Sequence, residues 1–469
     1  MTYPLWLGIA DAVLAAVSIG LVIARRRGVY GTLTWIFAIL AFPFLGALAY
    51  LALAHPLVAR ARRRKLWTAS QVHAALEPLY RGRGCDLPEG SVLELVARLT
   101  DVPATAGNTV DLYTENQAAF AAKNAAVAAA RRSVWAEYYI VQADDTGNEF
   151  LDRLIERARA GLDVRLLYDA VGSSRIDRRR LAELVRAGGR HAAFRPIQPF
   201  RRPWAAHLRN HRKLLVLDGL VAFTGGMNIG NEYSGYRLRK RRLPWRDAHV
   251  RIEGPAAADA ERLFAEDWAF ATGERPPVEV PRLPETGGSI VALVPSGPDQ
   301  EENASALAWF AAIAGARRSC YLSSPYFLPD EATQRALQTA ALRGVDVRVL
   351  VPEHSDVPLV GSAGWTFFPP LLEAGVRIFQ YQPAVLHAKT LVVDGERLVV
   401  GSANVDMRSF AFNFELGALV EDDATAGDLE RRFLADLAAS EELSLLGCAS
   451  RPWRARLRSS LARLLAPLL

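Results

Sequence analysis

Two kinds of apolar run divide the chain. Near the N-terminus they are long: Leu5–Ala24 carries Asp11 as its only charge, and Thr32–Ala54 carries none. About 20 apolar residues cross the hydrocarbon core of a bilayer, so the pattern predicts two transmembrane helices. The short link between them, Arg25–Gly31, makes them a hairpin. Trp6, Tyr30, Trp35 and Tyr50 fall near the predicted ends, where aromatic side chains meet headgroups, and Pro43 is placed to bend the second helix. Further on, the runs shorten and alternate between helical and strand periods. An Ala-rich helix from 117 ends in Arg-Arg-Ser, and the strand VWAEYYIV, the helix EFLDRLIERARAG and the strand DVRLLYDAVG follow. The same order returns as ALAWFAAIAGARRS, CYLSSPYF, ATQRALQTAALRG and VDVRVLV, again with Arg-Arg-Ser before the strand and a Gly (Gly161, Gly344) at the helix end. Two β-α-β units in one chain predict two pseudo-symmetric α/β lobes.

A more detailed repeat follows each unit. His211–Asn228 reads HRKLLVLDGLVAFTGGMN and His387–Asn404 reads HAKTLVVDGERLVVGSAN, with His, Lys, Asp, Gly and Asn at identical spacing. The runs LLVL and TLVV, each closed by Asp-Gly, have the form of a buried strand entering a tight turn. On that reading His211 and Lys213, and likewise His387 and Lys389, leave one face of a strand together. The return strands end in small-residue corners, Gly226 and Ser402, followed by Asn228 and Asn404. Imidazole, ammonium, amide and bare backbone N–H groups form a site for phosphate, present in two copies. Asp218 and Asp394 sit at the turns and are expected to brace the loop. Asp247 and Glu415, in matching strands after the motifs, are expected to hold a ring N–H and fix the histidine tautomers. His55, His73, His191, His207 and His249 lack the pattern.

The repeated motif resembles the HxKxxxxD signature of the phospholipase D superfamily. Its flanks resemble bacterial cardiolipin synthases of that superfamily: EYYI at 137–140, LLYDAVGS at 166–173, TGGMNIGNEY at 224–233, WRDAH at 245–249, SPYFLPD at 324–330, GSANVDMRSF at 401–410 and NFEL at 413–416. The resemblance implies two mixed-sheet lobes whose motif faces oppose each other across one phosphate. The implied catalytic set is His211, Lys213, Asp218, His387, Lys389 and Asp394, with Asn228, Asn404, Gly226 and Ser402 at the substrate. One histidine would attack phosphorus and the other would protonate the leaving oxygen; by analogy with the superfamily, His211 is the nucleophile. The implied reaction is phosphatidyl transfer from phosphatidylglycerol to a second phospholipid, with no metal and no cofactor. Rival readings are a hydrolytic phospholipase D, a nucleic-acid phosphodiesterase, which the hairpin disfavours, and a membrane scaffold, which two intact motifs disfavour.

Charge and composition narrow the partners. The formal charge is +6, from 56 Lys and Arg against 50 Asp and Glu, which suits phosphates or anionic lipid. Cys85, Cys320 and Cys448 are far apart and offer neither a thiolate metal site nor a disulfide framework. Five basic residues follow the second predicted span (Arg60, Arg62, Arg63, Arg64, Lys65) against three in its turn (Arg25, Arg26, Arg27). That excess predicts the main domain on the cytoplasmic side, and the resemblance implies a multi-pass protein of the bacterial inner membrane. The expected division is a hairpin with its basic flank at 1–65, a linker at 66–105, lobes at 106–290 and 291–440, and a basic tail at 441–469. Arg237–Arg242 and the segment 194–204 suggest a basic rim for headgroups. In the tail, Trp453, Leu457, Leu461, Leu464, Leu465 and Leu468 share one helical stripe among arginines, as in a helix lying on a membrane or docked on the protein.

Overall fold

A computed structural model describes residues 5–24, 29–54, 56–80, 84–194, 208–235, 245–278, 286–300 and 302–464. The basic segments 195–207 and 236–244, and with them the predicted headgroup rim, lie outside the described residues. The chain divides into two compact units, the first carried chiefly by Met1–Leu66 and the second, which bears the sheet, by Trp67–Pro196 and Leu208–Leu469.

In the first unit, helix Leu5–Ile23 is followed by Val29–Ala41 and Pro43–Ala54. The predicted span Thr32–Ala54 is thus two helices of 13 and 12 residues. Proline lacks an N–H and its ring crowds the carbonyl one turn back, so the helix breaks at Pro43. The two pieces then approach closely. A Cβ on Gly46 would lie 2.3 Å from the Ala38 carbonyl oxygen, so only glycine fits there. A small core of Val22, Ile39 and Tyr50 holds the unit, with Trp35 edge-on to Tyr50 at 5.4 Å. Among the described residues no helix is long and apolar enough to cross a membrane.

In the second unit, the two β-α-β repeats build halves of a single 16-stranded sheet. From its outer edge inward the first half runs Arg190–Phe194, Asp163–Asp169, Ser133–Tyr138, Lys213–Leu217, Val221–Gly225, His249–Glu253 and Thr105–Tyr113. The first three strands are parallel and the motif hairpin adds antiparallel pairing, so the sheet is mixed. The second half repeats this order through Arg377–Tyr381, Asp346–Pro352, Ser319–Ser323, Thr390–Val393, Arg397–Gly401, Asn413–Glu421 and Ser289–Ser296. Thr105–Tyr113 and Ser289–Ser296 pair antiparallel and fuse the halves. Strands from Ser133, Lys213, Ser319 and Thr390 are buried along nearly their whole length, which is why their sequences read as unbroken apolar runs rather than alternating ones.

The Asp-Gly turns are what hold each motif hairpin to its own lobe. Asp218 and Asp394 adopt left-handed backbone (φ 56° and 57°), followed by Gly219 and Gly395, also left-handed. The Asp218 carboxylate accepts from the backbone N–H groups of Arg131, Arg132 and Ser133, and Asp394 accepts from those of Arg317, Arg318 and Ser319. The Arg-Arg-Ser shared by the two repeats is therefore the backbone nest that each turn aspartate occupies. For Asp394, burial raises the carboxyl pKa, but these N–H donors and Arg318 outweigh it and leave it below the usual carboxylate range.

Candidate active site

The two halves exchange strands where the motifs begin. Arg209–Asn210, just before His211, pairs parallel with Asn413–Phe414 of the other half, and the His211 N–H donates to the Phe414 carbonyl at 2.8 Å. Reciprocally, Val385–Leu386, just before His387, pairs with Trp245–Arg246, and the His387 N–H donates to the Arg246 carbonyl at 2.7 Å. The histidines thus stand on short extended links between two strands, not within one strand as the alternation suggested. Lys213 opens the strand that follows its link, while Lys389 is still on the link before Thr390.

This exchange crosses the acids. His211 Nδ1 lies 3.0 and 2.9 Å from the two carboxylate oxygens of Glu415, and His387 Nδ1 lies 2.6 Å from Asp247 Oδ2. Each histidine is oriented by the carboxylate of the opposite half. Both rings border one cavity of about 200 Å³, lined also by Asn228 and Asn404. Tyr139 meets the His211 ring edge-on at 4.9 Å, and Trp245 covers the His387 ring at 4.6 Å.

Electrostatics follow from burial. Desolvation pushes the His211 imidazole down to about 4 and His387 to about 3, against the pull of Glu415 and Asp247 in the other direction. The lysines are equally dry: burial brings Lys213 to about 7 and Lys389 to about 8. Lys213 Nζ donates to the His211 carbonyl at 2.7 Å, and Lys389 Nζ sits 2.8 Å from His387 Nδ1. Burial disfavours the protonated form of all four groups, and a phosphate beside them would supply a counter-charge that favours it. Glu415 runs the other way: burial raises it, yet His211, Lys213 and Ser402 together hold it below the usual range.

Other expected site residues stand elsewhere. Asp218 and Asp394 are at the far ends of the motif strands, bound in their backbone nests. Ser402, expected at the phosphate, instead donates its hydroxyl to Glu415 and accepts the Leu416 N–H. Gly226, at the matching position, gives its N–H to the Ala248 carbonyl, and a Cβ there would lie 2.1 Å from Asp247 Oδ1. Neither lines the cavity: a small-residue corner signals close approach, and here the approaching group is the acid behind the histidine. Asn228 lines the cavity but is engaged, accepting from the Ile140 N–H and donating to the Tyr233 hydroxyl. Asn404 Oδ1 is buried there with no hydrogen-bond partner among the described residues. The cavity wall also includes Arg209, Arg408, Tyr326 and Asp406, to which the sequence reading gave no role. Burial raises Asp406 to about 6. Tyr326, Asp406 and Arg408 stood inside the flanking blocks quoted above; Arg209 was signalled only by its place two residues before His211.

A family described as cardiolipin synthase, PLD-like domain, matches residues 125–268 and 310–437, the two halves of the sheet. The chain belongs to this family. A family described as phospholipase D-nuclease N-terminal matches residues 12–54. The cardiolipin synthase of Geobacillus kaustophilus is 37% identical over 97% of this chain and 92% of its own length. Cardiolipin synthase A of Pseudomonas aeruginosa strain LESB58 is 37% identical over 80% of this chain and 76% of its own. In fold, the chain is similar to the phosphatidylserine synthase of Haemophilus influenzae, with a TM-score of 0.62 at 14% identity, over 81% of this chain and all of that one.

Proposed function

We infer that the chain is a phosphatidyltransferase that makes cardiolipin from phosphatidylglycerol and a second phospholipid, releasing glycerol. The relatives' activity suggests the reaction, and the crossed imidazole–carboxylate pairs on one cavity are the observation that carries it for these residues. His211 Nε2 attacks phosphorus, the bond from phosphorus to the glycerol headgroup oxygen breaks, and His387 as imidazolium gives that oxygen its proton. A phosphatidyl-histidine remains on His211. A hydroxyl of the second lipid then loses its proton to His387 and attacks phosphorus; the P–N bond breaks and His211 is restored. Lys213 and Lys389 stabilise the equatorial oxygens, whose charge grows in the transition state. What supports His211 as the nucleophile is its bonding: the ring's hydrogen bonds run through Nδ1 to Glu415, leaving Nε2 for phosphorus, whereas Lys389 Nζ lies within 3.1 Å of His387 Nε2.

The N-terminal unit is the membrane anchor in this reading, crossing the inner membrane as a hairpin with the sheet-bearing unit in the cytoplasm. Its support is the apolar surface the helices leave uncovered, including Val13, Val17, Phe37 and Phe44. Radiolabelled phosphatidylglycerol in vesicles provides the test of function. Cardiolipin and free glycerol in equal amounts are expected; phosphatidic acid as sole product would replace transfer by hydrolysis. Cysteine accessibility from each side of the membrane tests the hairpin, and labelling of 25–31 from the cytoplasm would overturn it.

A further inference from the structure

The last helix is built inside out. Trp453–Leu464 packs against the short helix Pro358–Gly364. Its docked face is small and partly polar: Ser459 and Ala462 are buried and Ala455 is half-buried. Arginines finish the seal, with Arg451 3.9 Å over the Trp365 ring and Arg463 4.9 Å over Phe367. The large apolar side chains point the other way. Trp453, Leu457, Leu461 and Leu464, which share one stripe at helical spacing, are all half or more exposed, Leu464 at 75%. Leu446, on the preceding turn of helix, is 83% exposed. A water-facing helix ordinarily shows the opposite pattern, apolar inward and charged outward. Exposing four adjacent large apolar side chains forgoes the gain of burying them. Docking against this chain has therefore not settled what covers the stripe.

Its charge indicates the occupant. From Leu443 to the C-terminus there is no acidic residue and there are five arginines. Arg454 and Arg456 fall on the two flanks of the stripe at helical spacing, and both are exposed. An apolar stripe bordered on both sides by long cationic side chains matches the boundary between acyl chains and anionic headgroups, where the stems lie along the apolar layer and the guanidiniums reach phosphate. We propose that helix Trp453–Leu464 is a second membrane contact, seated on an anionic phospholipid surface through Trp453, Leu457, Leu461 and Leu464 and held by its flanking arginines. Being fixed to the catalytic unit, it ties that unit to the lipid surface independently of the N-terminal helices.

The test uses the full chain in lipid nanodiscs, with an environment-sensitive fluorophore on Leu457→Cys and the labelled unsubstituted chain as background for the native cysteines. Expected is a blue shift in phosphatidylglycerol discs and quenching by nitroxide-bearing lipid, with a smaller effect in phosphatidylcholine and partial loss in high salt. A blue shift without quenching by lipid would show the stripe covered by protein, a second copy or another part of the chain, and would overturn the proposal. No shift would overturn it in favour of a water-facing stripe. These readouts do not depend on the transfer chemistry. A triple variant, Trp453→Ser, Leu457→Ser and Leu461→Ser, adds a functional arm. The vesicle concentration giving half-maximal rate should rise several-fold while turnover of soluble short-chain substrate stays the same. Equal loss on both substrates would instead mark a folding role.

Discussion

In the second half, Glu415 is surrounded by donors: the Ser402 hydroxyl, the Asn413 amide at 3.1 Å and His211. In the first, Asp247 is one carbon shorter, is reached past the bare Gly226, and receives His387 and the Ala248 N–H. The surroundings differ further. Lys123, buried in the first half, has no hydrogen-bond partner for Nζ among the described residues and rests 3.9 Å from the centre of the Phe120 ring. Eight residues before the second Arg-Arg-Ser, where Lys123 stands in the first, is Trp309. His249, two residues after Asp247, is buried with neither ring nitrogen hydrogen-bonded among the described residues, and two residues after Glu415 comes Gly417. A repeated motif has thus been filled unequally. One histidine meets a buried carboxylate that several donors hold, and the other meets a buried carboxylate with fewer donors around it. That inequality fits two different tasks, attack on phosphorus and proton transfer to the leaving group, better than two interchangeable ones.

The largest expected effect comes from the histidines. His211→Ala and His387→Ala should each lower turnover by on the order of 10³-fold or more. With a substrate whose leaving group needs no proton, acid-quenched labelling should recover a covalent adduct from His387→Ala and none from His211→Ala. The reverse pattern would exchange the tasks between the halves.

Next come the crossed acids, Glu415→Gln and Asp247→Asn, for which a loss of about 10²–10⁴-fold is expected, as when a triad carboxylate is neutralised and the wrong tautomer results. In the adduct assay, Glu415→Gln should resemble the loss of His211, which belongs to the other half. If it resembled His387→Ala, the crossing would be wrong.

A smaller effect distinguishes the corners. Gly226→Ala drives a methyl into Asp247 and should cost more activity than Ser402→Ala, which removes one of several donors to Glu415 and should cost roughly tenfold or less. Steady-state rates of the two variants decide the order.

Lys123 affords the mildest probe. Burial lowers it to about 7 from its usual 10.5. The unfolded chain therefore binds more protons between those values, and the stability cost of this lysine is greatest below pH 7 and fades toward pH 10.5. Lys123→Met should raise thermal stability by about 1 kcal/mol or more at pH 6 and by little at pH 10. An equal gain at both pH values, read by calorimetry, would assign the effect to packing.

Much of this was legible in the chain. The duplicated HxK, the Asp-Gly turns and the Arg-Arg-Ser repeats follow local rules of strand and turn, so the lobes and the bracing by Asp218 and Asp394 could be read directly. Direction was harder. Nothing local says that Glu415 reaches His211 across 204 residues, or that Ser402 turns toward the acid rather than toward the cavity. The apolar run Thr32–Ala54 likewise hid its break, because hydropathy does not register that the helix is interrupted at Pro43.

Crossing the acids gives the protein an indivisible centre. A half excised from this chain keeps a histidine but loses that histidine's carboxylate, and keeps a carboxylate with no ring to hold. Doubling one half within a new chain would restore function only if its own acid fitted its own histidine, and the unequal lengths of Asp247 and Glu415 stand against that. Each repeat supplies the carboxylate that its twin's histidine uses, so a change of acid in one half is felt at the ring of the other.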